Sequence, residues 1–547
     1  MAQSYFKTVI LSCFFIFHAL ASYAQNHQTF QIARPVGIGA AGIGLHASNR
    51  IYRAYPGIPY QIHADAVGGR WPYTYSLSSA PAGMTIEPGP CSNIGPSGCT
   101  AGTINWPNPI LGITNPITVT IRDADGRTLT GTWSINVNST IGANGFCFLN
   151  ADSGNDTTGN GSLNSPYRSI AKAHASCGTR SIIYFRGASL PYTIDPSLED
   201  GTIPGDCDRR VVWPENNRGV IWLGYPGENP TIDFESAGDA QPCFQMQGEN
   251  IWIEGLRIRN IGSIGFKLNI RSGGYGAVIR KIDAQNLLFG GNGKNSSFFL
   301  WSRCDDCPTW FDTVQNSSFH NVGTGACSLK LYGIRYGLFE TSNYSRTLDR
   351  EASLALKGTV AHYTVRANTC SSDVLTCFGG NMATSTAGLG IYNTGGEIYH
   401  NLVRSSGTAS GEGGITIGVA KVDPIAQTWV YRNTFIGNVN VSNVATNDGP
   451  YYFNNNIIIN SGGSGGSCPP RLNCYGITDP LGFARIIFNG SNNLQGSSSD
   501  GIIDINGNLQ GNYRNLWINQ RGYELSTTNN GGTNLTPLAP TNLRITL

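Results

Sequence analysis

Apolar and polar positions alternate in short runs along most of this chain, and only one brief segment carries a helical period. Between about 250 and 460 one phrase keeps returning: IDAQNLLF at 282–289, DTVQNSSF at 312–319, YTVRANT at 363–369, EIYHNLV at 397–403 and WVYRNTF at 429–435. YYFNNNIII at 451–459 continues it, and GLFETSNYS at 337–345 is a looser copy. Each copy is an alternating strand that runs into an asparagine: Asn286, Asn316, Asn343, Asn368, Asn401, Asn433 and Asn456, about 23 to 33 residues apart. Self-similarity at that period marks a stacked repeat, and units built of strands and turns make it a β-solenoid. Each rung's strands then pair in parallel with the rungs above and below. The apolar residue three before the asparagine (Val365, Ile398, Val430, Phe453) points into a narrow core. The asparagines are expected at one corner, in a left-handed backbone, with their amides hydrogen-bonded along the stack.

Upstream the text changes. From 45 to 139, strands spaced about 8 to 12 residues apart (IPYQIHADAVGG, YTYSLSSAPAGMTI, GTINW, ITVTIRDADGRTLTGTWSINV) predict a β-sandwich. Residues 25–44, with QIARPVGIGAAGIG, read as a Gly/Ala-rich linker. Between 150 and 177 a polar loop leads into a short helix. Ser165 is its expected N-cap and Pro166 its first residue, with Tyr167, Ile170, Ala171, His174 and Ala175 on one face. Such a helix would cover the first rung, whose edge and core are otherwise open. The solenoid is expected over 145–525, with a tail at 526–547.

The rung phrase, with the loop and helix before it, resembles the right-handed parallel β-helices of the pectate-lyase-like superfamily over residues 145–525. GGRWPYTYSL, APAGMTI, GTINW and TVTIRDADG resemble the immunoglobulin/cadherin-like modules of bacterial surface proteins. That second resemblance implies a spacer, adhesion or carbohydrate-contacting part. The expected fold class is therefore all-β: an N-terminal β-sandwich followed by a right-handed parallel β-helix.

Charge narrows the partners. Only 13% of residues are charged, and 36 Lys+Arg against 34 Asp+Glu leave +2, which gives no electrostatic reason for nucleic acid or an anionic membrane as partner. Lys7, the apolar run VILSCFFIFHAL (9–20) and Ala21-Ser22-Tyr23-Ala24 read as a signal peptide over 1–24. The chain is thus expected to be exported, secreted or on a cell surface, with no membrane span and as a monomer. Its 14 cysteines, less Cys13 in the signal, fall into near neighbours such as Cys91/Cys99, Cys304/Cys307, Cys370/Cys377 and Cys468/Cys474. Cys147/Cys177 and Cys207/Cys243 are longer pairs, and Cys327 stands single. In an exported chain these spacings read as disulfides, and CDDC at 304–307, with no partner CxxC or His pair, reads as a disulfide or plain thiols rather than a metal site.

Candidate chemistry concentrates in LDREASLALKGTVAHYTVRANT (348–369). With Leu354 and Leu356 inward, Glu351 and Lys357 share the outward face. The run resembles part of the alginate-lyase/chondroitinase-B family. That resemblance implies Lys357 as the base removing the proton beside a uronate carboxylate, and Asp349 and Glu351 as Ca²⁺ ligands. Arg366 is the neighbouring cation that would depress the lysine. Two departures leave Lys357 and Arg366 open to a plainer reading as solvated face residues. The Glu351–Lys357 spacing is one residue longer than in the family, and Arg366, nine residues on, comes sooner than the family's arginine and across a corner on another sheet. The nearest rival, Lys281 with Asp283, lacks a second acid. Asp305 and Asp306 are adjacent, as in pectin hydrolases, but the Gly-His-Gly and Arg-Ile-Lys phrases of those enzymes are absent. His320, His362 and His400 read as corner or surface residues. Asp123 and Asp125 read as a hairpin turn rather than a Ca²⁺ site. Trp252 and Trp429 alternate outward, where they would stack on sugars or pack beneath another segment. The expected partner is a polysaccharide, met either by a lyase acting on uronate-containing glycans or by a non-catalytic glycan-binding surface protein.

Overall fold

The computed structural model describes residues 28–35, 49–91 and 99–194 (Thr179 apart), and beyond them mainly the strands and corners of the coils from 209 to 496. Three long parallel sheets run the length of the second part. A 12-stranded first sheet begins with Phe146–Leu149, Ile182–Phe185, Ile221–Gly224 and Trp252–Glu254. An 11-stranded second sheet starts at Tyr192–Thr193 and an 11-stranded third sheet at Arg209–Trp213. The chain visits them in the order first, second, third, and every ladder is parallel, so the solenoid is a parallel β-helix. Inward residues of the first sheet stack in register, Val365 against Ile398 and Ile398 against Val430. They line one continuous apolar core with Ile253, Ile279, Val314 and Phe339.

The corner between the first and second sheets holds the asparagines, one place from where they were expected. The left-handed backbone belongs to the residue before each: Ala367 (φ 53°), His400 (φ 53°) and Arg432 (φ 55°). The asparagine that follows is fully buried, because its amide is needed inside the turn. Asn401 Oδ1 accepts from the N–H and the Nδ2 of Asn368, both at 3.0 Å, and Asn433 Oδ1 does the same for Asn401. Serines occupy this position in earlier rungs. Ser342 N donates to Asn368 Oδ1 (2.9 Å), and Ser317 N to Ser342 Oγ (3.3 Å). Two copies of the phrase are thus out of register: Asn316 is itself the left-handed residue, and Asn343 opens the next strand. Asn286 lies in the second-sheet strand Asp283–Leu287, and Asn456 lies outside the described residues. His362 and His400 are left-handed corner residues, as their positions suggested.

The N-terminal part is a sandwich of small, mostly antiparallel sheets, among them Thr74–Ser78, Ile117–Arg122 and Thr128–Trp133. The linker reading fails over Gln31–Arg34, which pairs antiparallel with Asp65–Val67 as part of the sandwich. Between Asp123 and Arg127 the chain turns tightly. Asp123 accepts from the N–H groups of Arg70, Asp125 and Arg127, and Asp125 pairs with Arg70 and Arg127. The short helix is Ile170–Cys177, with Ser169 as N-cap, its hydroxyl accepting from Lys172 N at 3.1 Å. Ser165 is displaced from that role because Tyr167 bridges in parallel to Leu149, which keeps residues 166–168 extended along the first strand. Cys91–Cys99 and Cys147–Cys177 are disulfides, and Cys370 is disulfide-bonded as well. Cys304, Cys307, Cys327, Cys377, Cys468 and Cys474 lie outside the described residues.

The sandwich rests on the outer face of the first sheet, which is therefore covered on both sides, as parallel sheets usually are. Its core continues into Phe146, Tyr184, Trp252, Leu338, Tyr399 and Tyr431. Polar groups cross the same seam. Arg34 donates to Thr313 Oγ1 (2.8 Å) and Phe311 O (2.9 Å), and Gln28 N donates to Glu397 Oε1 (2.9 Å). Burial pushes the Glu397 carboxyl up to about 7, despite donors from Gln28 and the Tyr431 hydroxyl, and pushes Asp312 up to about 6. Both acids hold their proton more tightly folded than unfolded, so folding takes up protons between the ordinary carboxylate range and about pH 7. Stability should therefore rise by about 2–4 kcal/mol as pH falls from 8 to 5. Below about pH 4 it should turn down, because the carboxyls of Asp65 and Glu254 are held low. Chemical denaturation across pH 4–8 checks this, and a curve that rises monotonically with pH would contradict it.

Candidate functional site

Among the described residues, those singled out for chemistry are split between the first and third sheets. Lys357 lies in the third-sheet strand Leu354–Ala361, in register with Tyr332, while Asp349 and Glu351 lie outside the described residues. Arg366 is in the first sheet and 1% exposed, turned into the seam with all three nitrogens hydrogen-bonded. Its Nε donates to Glu340 Oε2 (2.5 Å), Nη1 to the hydroxyls of Tyr73 (2.9 Å) and Tyr399 (3.1 Å), and Nη2 to Ala66 O (3.0 Å). It lies on another sheet from Lys357, as expected, but its role as an available cation is corrected: the sandwich covers the face on which alternation places it. Trp252 and Trp429 do point outward, and the same cover buries them. Trp252 Nε1 donates to Glu254 Oε2 (2.9 Å). Neither indole presents a free face to a sugar.

Where the sandwich stops short of the first corner, a cleft of about 540 Å³ opens between the two parts. Arg50, Gln61 and Asn105 of the sandwich form one wall. The solenoid provides the other from three successive coils: Tyr225 to Glu228, Glu254 to Arg257, and Lys281 with Asp283. Parallel register explains the grouping, since Glu254 stands beside Arg280 and Arg257 beside Asp283. The second acid that Lys281 lacks in the sequence comes from the preceding rung. Its Nζ is 3.9 Å from Glu254 Oε1 and also donates to Gln61 across the cleft. Lys281 itself is a left-handed corner residue (φ 51°), in the place that Gly255 takes one rung earlier. The same left-handed backbone recurs at non-glycine residues of later coils, so it belongs to the corner and not to Lys281 in particular. Burial draws its ammonium below the ordinary lysine value, against the attraction of Glu254. For Glu254 burial opposes ionisation, yet Arg280, Lys281 and the Trp252 N–H together hold the carboxyl low. At the lip, Arg186 chelates Glu228 and lies 4.2 Å from the centre of the Tyr225 ring.

Among the described residues one group has metal-ligand chemistry, His63, Asp65 and Glu340, whose ligand atoms lie within 4.8 Å of one another. It does not fit a cation. Asp65 is paired with Arg34 (3.3 Å), Glu340 with Arg366, and Gln315 Nε2 donates to Asp65 (2.8 Å) and Glu340 (2.6 Å) between them. The two carboxylates are already neutralised by two guanidinium groups.

Sequence reasoning missed Glu254, Arg280, Gln315 and Glu340, although a signal for them exists. Each follows an inward apolar residue at the same rung position (Ile253, Ile279, Val314, Phe339), and Arg366 follows Val365 likewise. Charged or amide residues repeated at one outward position mark a polar stripe that some other element must cover. The chain matches no protein-family model, and no curated protein matches it. Among solved structures it is similar to that of pectate lyase Pel9A, with 14% sequence identity over 63% of this chain and 82% of that chain and a TM-score of 0.31.

Proposed function

We propose that this is an exported polysaccharide-interacting protein that takes a glycan into the cleft between sandwich and β-helix. The cleft is the observation that carries the reading. Its volume falls in the range of ligand sites, it lies at a junction between two structural units, and its walls offer amides, charges and a tyrosine ring. A signal-like N terminus supports export. The catalytic form of the reading is a lyase on uronate-containing glycans, with its chemistry on the third sheet, outside the cleft. Lys357 would take the proton beside the carboxylate, with Ca²⁺ held by Asp349 and Glu351. Arg366 is no part of that form, since its donors are spent in the seam. That same observation favours the second form, a surface protein that binds glycan without cleaving it.

Purified mature protein offered a panel of uronate-containing and neutral polysaccharides, with and without Ca²⁺, separates the two. Appearance of the unsaturated product, abolished in Lys357→Ala with unchanged thermal unfolding, establishes the lyase. Binding without product, weakened about tenfold in Lys281→Gly, establishes the binding protein. The glycine variant suits this test because glycine relieves the left-handed strain while removing the amine. Failure of every polysaccharide to bind would refute the proposal.

A further inference from the structure

The floor of the cleft carries more positive charge than its carboxylate can balance. Arg280 Nη1 lies 3.5 Å and Lys281 Nζ 3.9 Å from the same oxygen, Oε1 of Glu254. Arg50, 3% exposed, also bears on this carboxyl. The neighbouring acids do not redress the balance, because Glu228 is chelated by Arg186 and Asp283 is paired with Arg259 at 2.8 Å. Arg257 adds a further exposed cation at the mouth.

Arg280 is the telling residue. It is fully buried, yet none of its three guanidinium nitrogens has a hydrogen-bond partner, and Nε of Arg50 has none either. A buried guanidinium normally has its N–H groups matched. The same seam does this at Arg366, where all three nitrogens donate. Glu254 and Lys281 are the members that meet solvent, with side chains 11% and 39% exposed, and Arg280 lies directly behind them. Uncompensated positive charge between low-permittivity walls focuses its field into the cleft.

We propose that this floor is an oxyanion subsite, formed by Arg280, Lys281 and Arg50 around Glu254, that recognises a negatively charged substituent of the bound glycan. The shared chemistry is a carboxylate or a sulfate ester. The inference rests on the reading that a polysaccharide enters the cleft, and it adds the reason one class of polysaccharide would be chosen over another. Lys281 makes the direct contact. Arg280 acts from behind as a positioning charge, and Glu254 keeps the unliganded floor from carrying three bare cations.

Isothermal titration at constant ionic strength tests this with polygalacturonate, dextran sulfate and neutral dextran, and with the small anions galacturonate and sulfate. Charged polymers should bind at least tenfold more tightly than dextran, and whichever of the two binds more tightly identifies the substituent. Arg280→Met should weaken that binding about tenfold. Glu254→Gln, which keeps an acceptor for Trp252 but removes the charge, should strengthen it about tenfold. Opposite responses in these two variants are not expected of general damage to the fold. Equal binding of dextran, or variants that leave affinity unmoved, would overturn the subsite while leaving the polysaccharide reading in place. Binding of the small anions alone, with the same opposite responses, would keep the subsite and remove the polysaccharide. No binding by any probe would remove both.

Discussion

Arg366→Ala is expected to cost about 3–5 kcal/mol and to loosen the sandwich from the β-helix. The guanidinium is 1% exposed and makes four hydrogen bonds, two of them to Tyr73 and Ala66 of the sandwich. Its removal leaves the Glu340 carboxylate buried with Gln315, a donor it shares with Asp65, in place of its guanidinium. A stranded charge in that position is far more costly than the pair was stabilising. The denaturation midpoint should fall steeply, and limited proteolysis should cut between the two parts in the variant but not in the wild type. The double change Arg366→Met with Glu340→Leu should recover much of the loss, because it removes both charges and keeps the volume. An Arg366→Ala protein as stable and protease-resistant as wild type would show that the seam does not depend on this pair.

The second large effect should come from the interior. Asn401→Ala is expected to destabilise the coil stack by about 3 kcal/mol, although alanine is smaller and fits without strain. The amide of Asn401 donates to Val365 O (2.9 Å), Tyr399 O (3.1 Å) and Asn433 Oδ1 (2.9 Å), while its oxygen receives both donors of Asn368. All of these groups are shut away from water, so the substitution strands several at once. Asn401→Ser should cost less, because Ser342 and Ser317 fill the same place in earlier rungs. Chemical denaturation of the two variants checks the order, and equal losses would show that volume rather than the amide governs the corner.

Much of the solenoid was legible because its physics repeats. An inward apolar residue and a buried amide recur with every coil, so each rung restates the same constraint, as Val365, Ile398 and Val430 do. The asparagine register was misplaced by one residue because a left-handed backbone and a buried amide both favour asparagine, and sequence alone does not show which demand is met where. The placement of the sandwich was not legible. Alternation says that Trp252 and Arg366 point away from the core, but not what lies on the other side. That depends on surface shape and on partners such as Gln28 with Glu397 or Arg34 with Phe311, hundreds of positions apart. The cleft shares this origin. Lys281 could be weighed against Asp283 from the text, whereas its pairing with Glu254 needs the register between coils and its contact with Gln61 needs the docked sandwich.

The left-handed corner of the first sheet has one further consequence. Gly255, Lys281, Asn316, Thr341, Ala367, His400 and Arg432 occupy equivalent places in consecutive coils, a file of side chains about 4.8 Å apart along the axis. Their identities range from no side chain to a full guanidinium, while the residues that follow them inside the turn are confined to apolar, serine or asparagine types. The backbone there is governed by the coil and not by the residue, so the identity of each side chain answers to what lies outside the coil: Thr341, Ala367 and His400 are buried, whereas Gly255 and Lys281 line the cleft. One column of letters, one per coil, thus records along its length where the coil is covered and where it meets a cleft, with the scaffold itself unchanged.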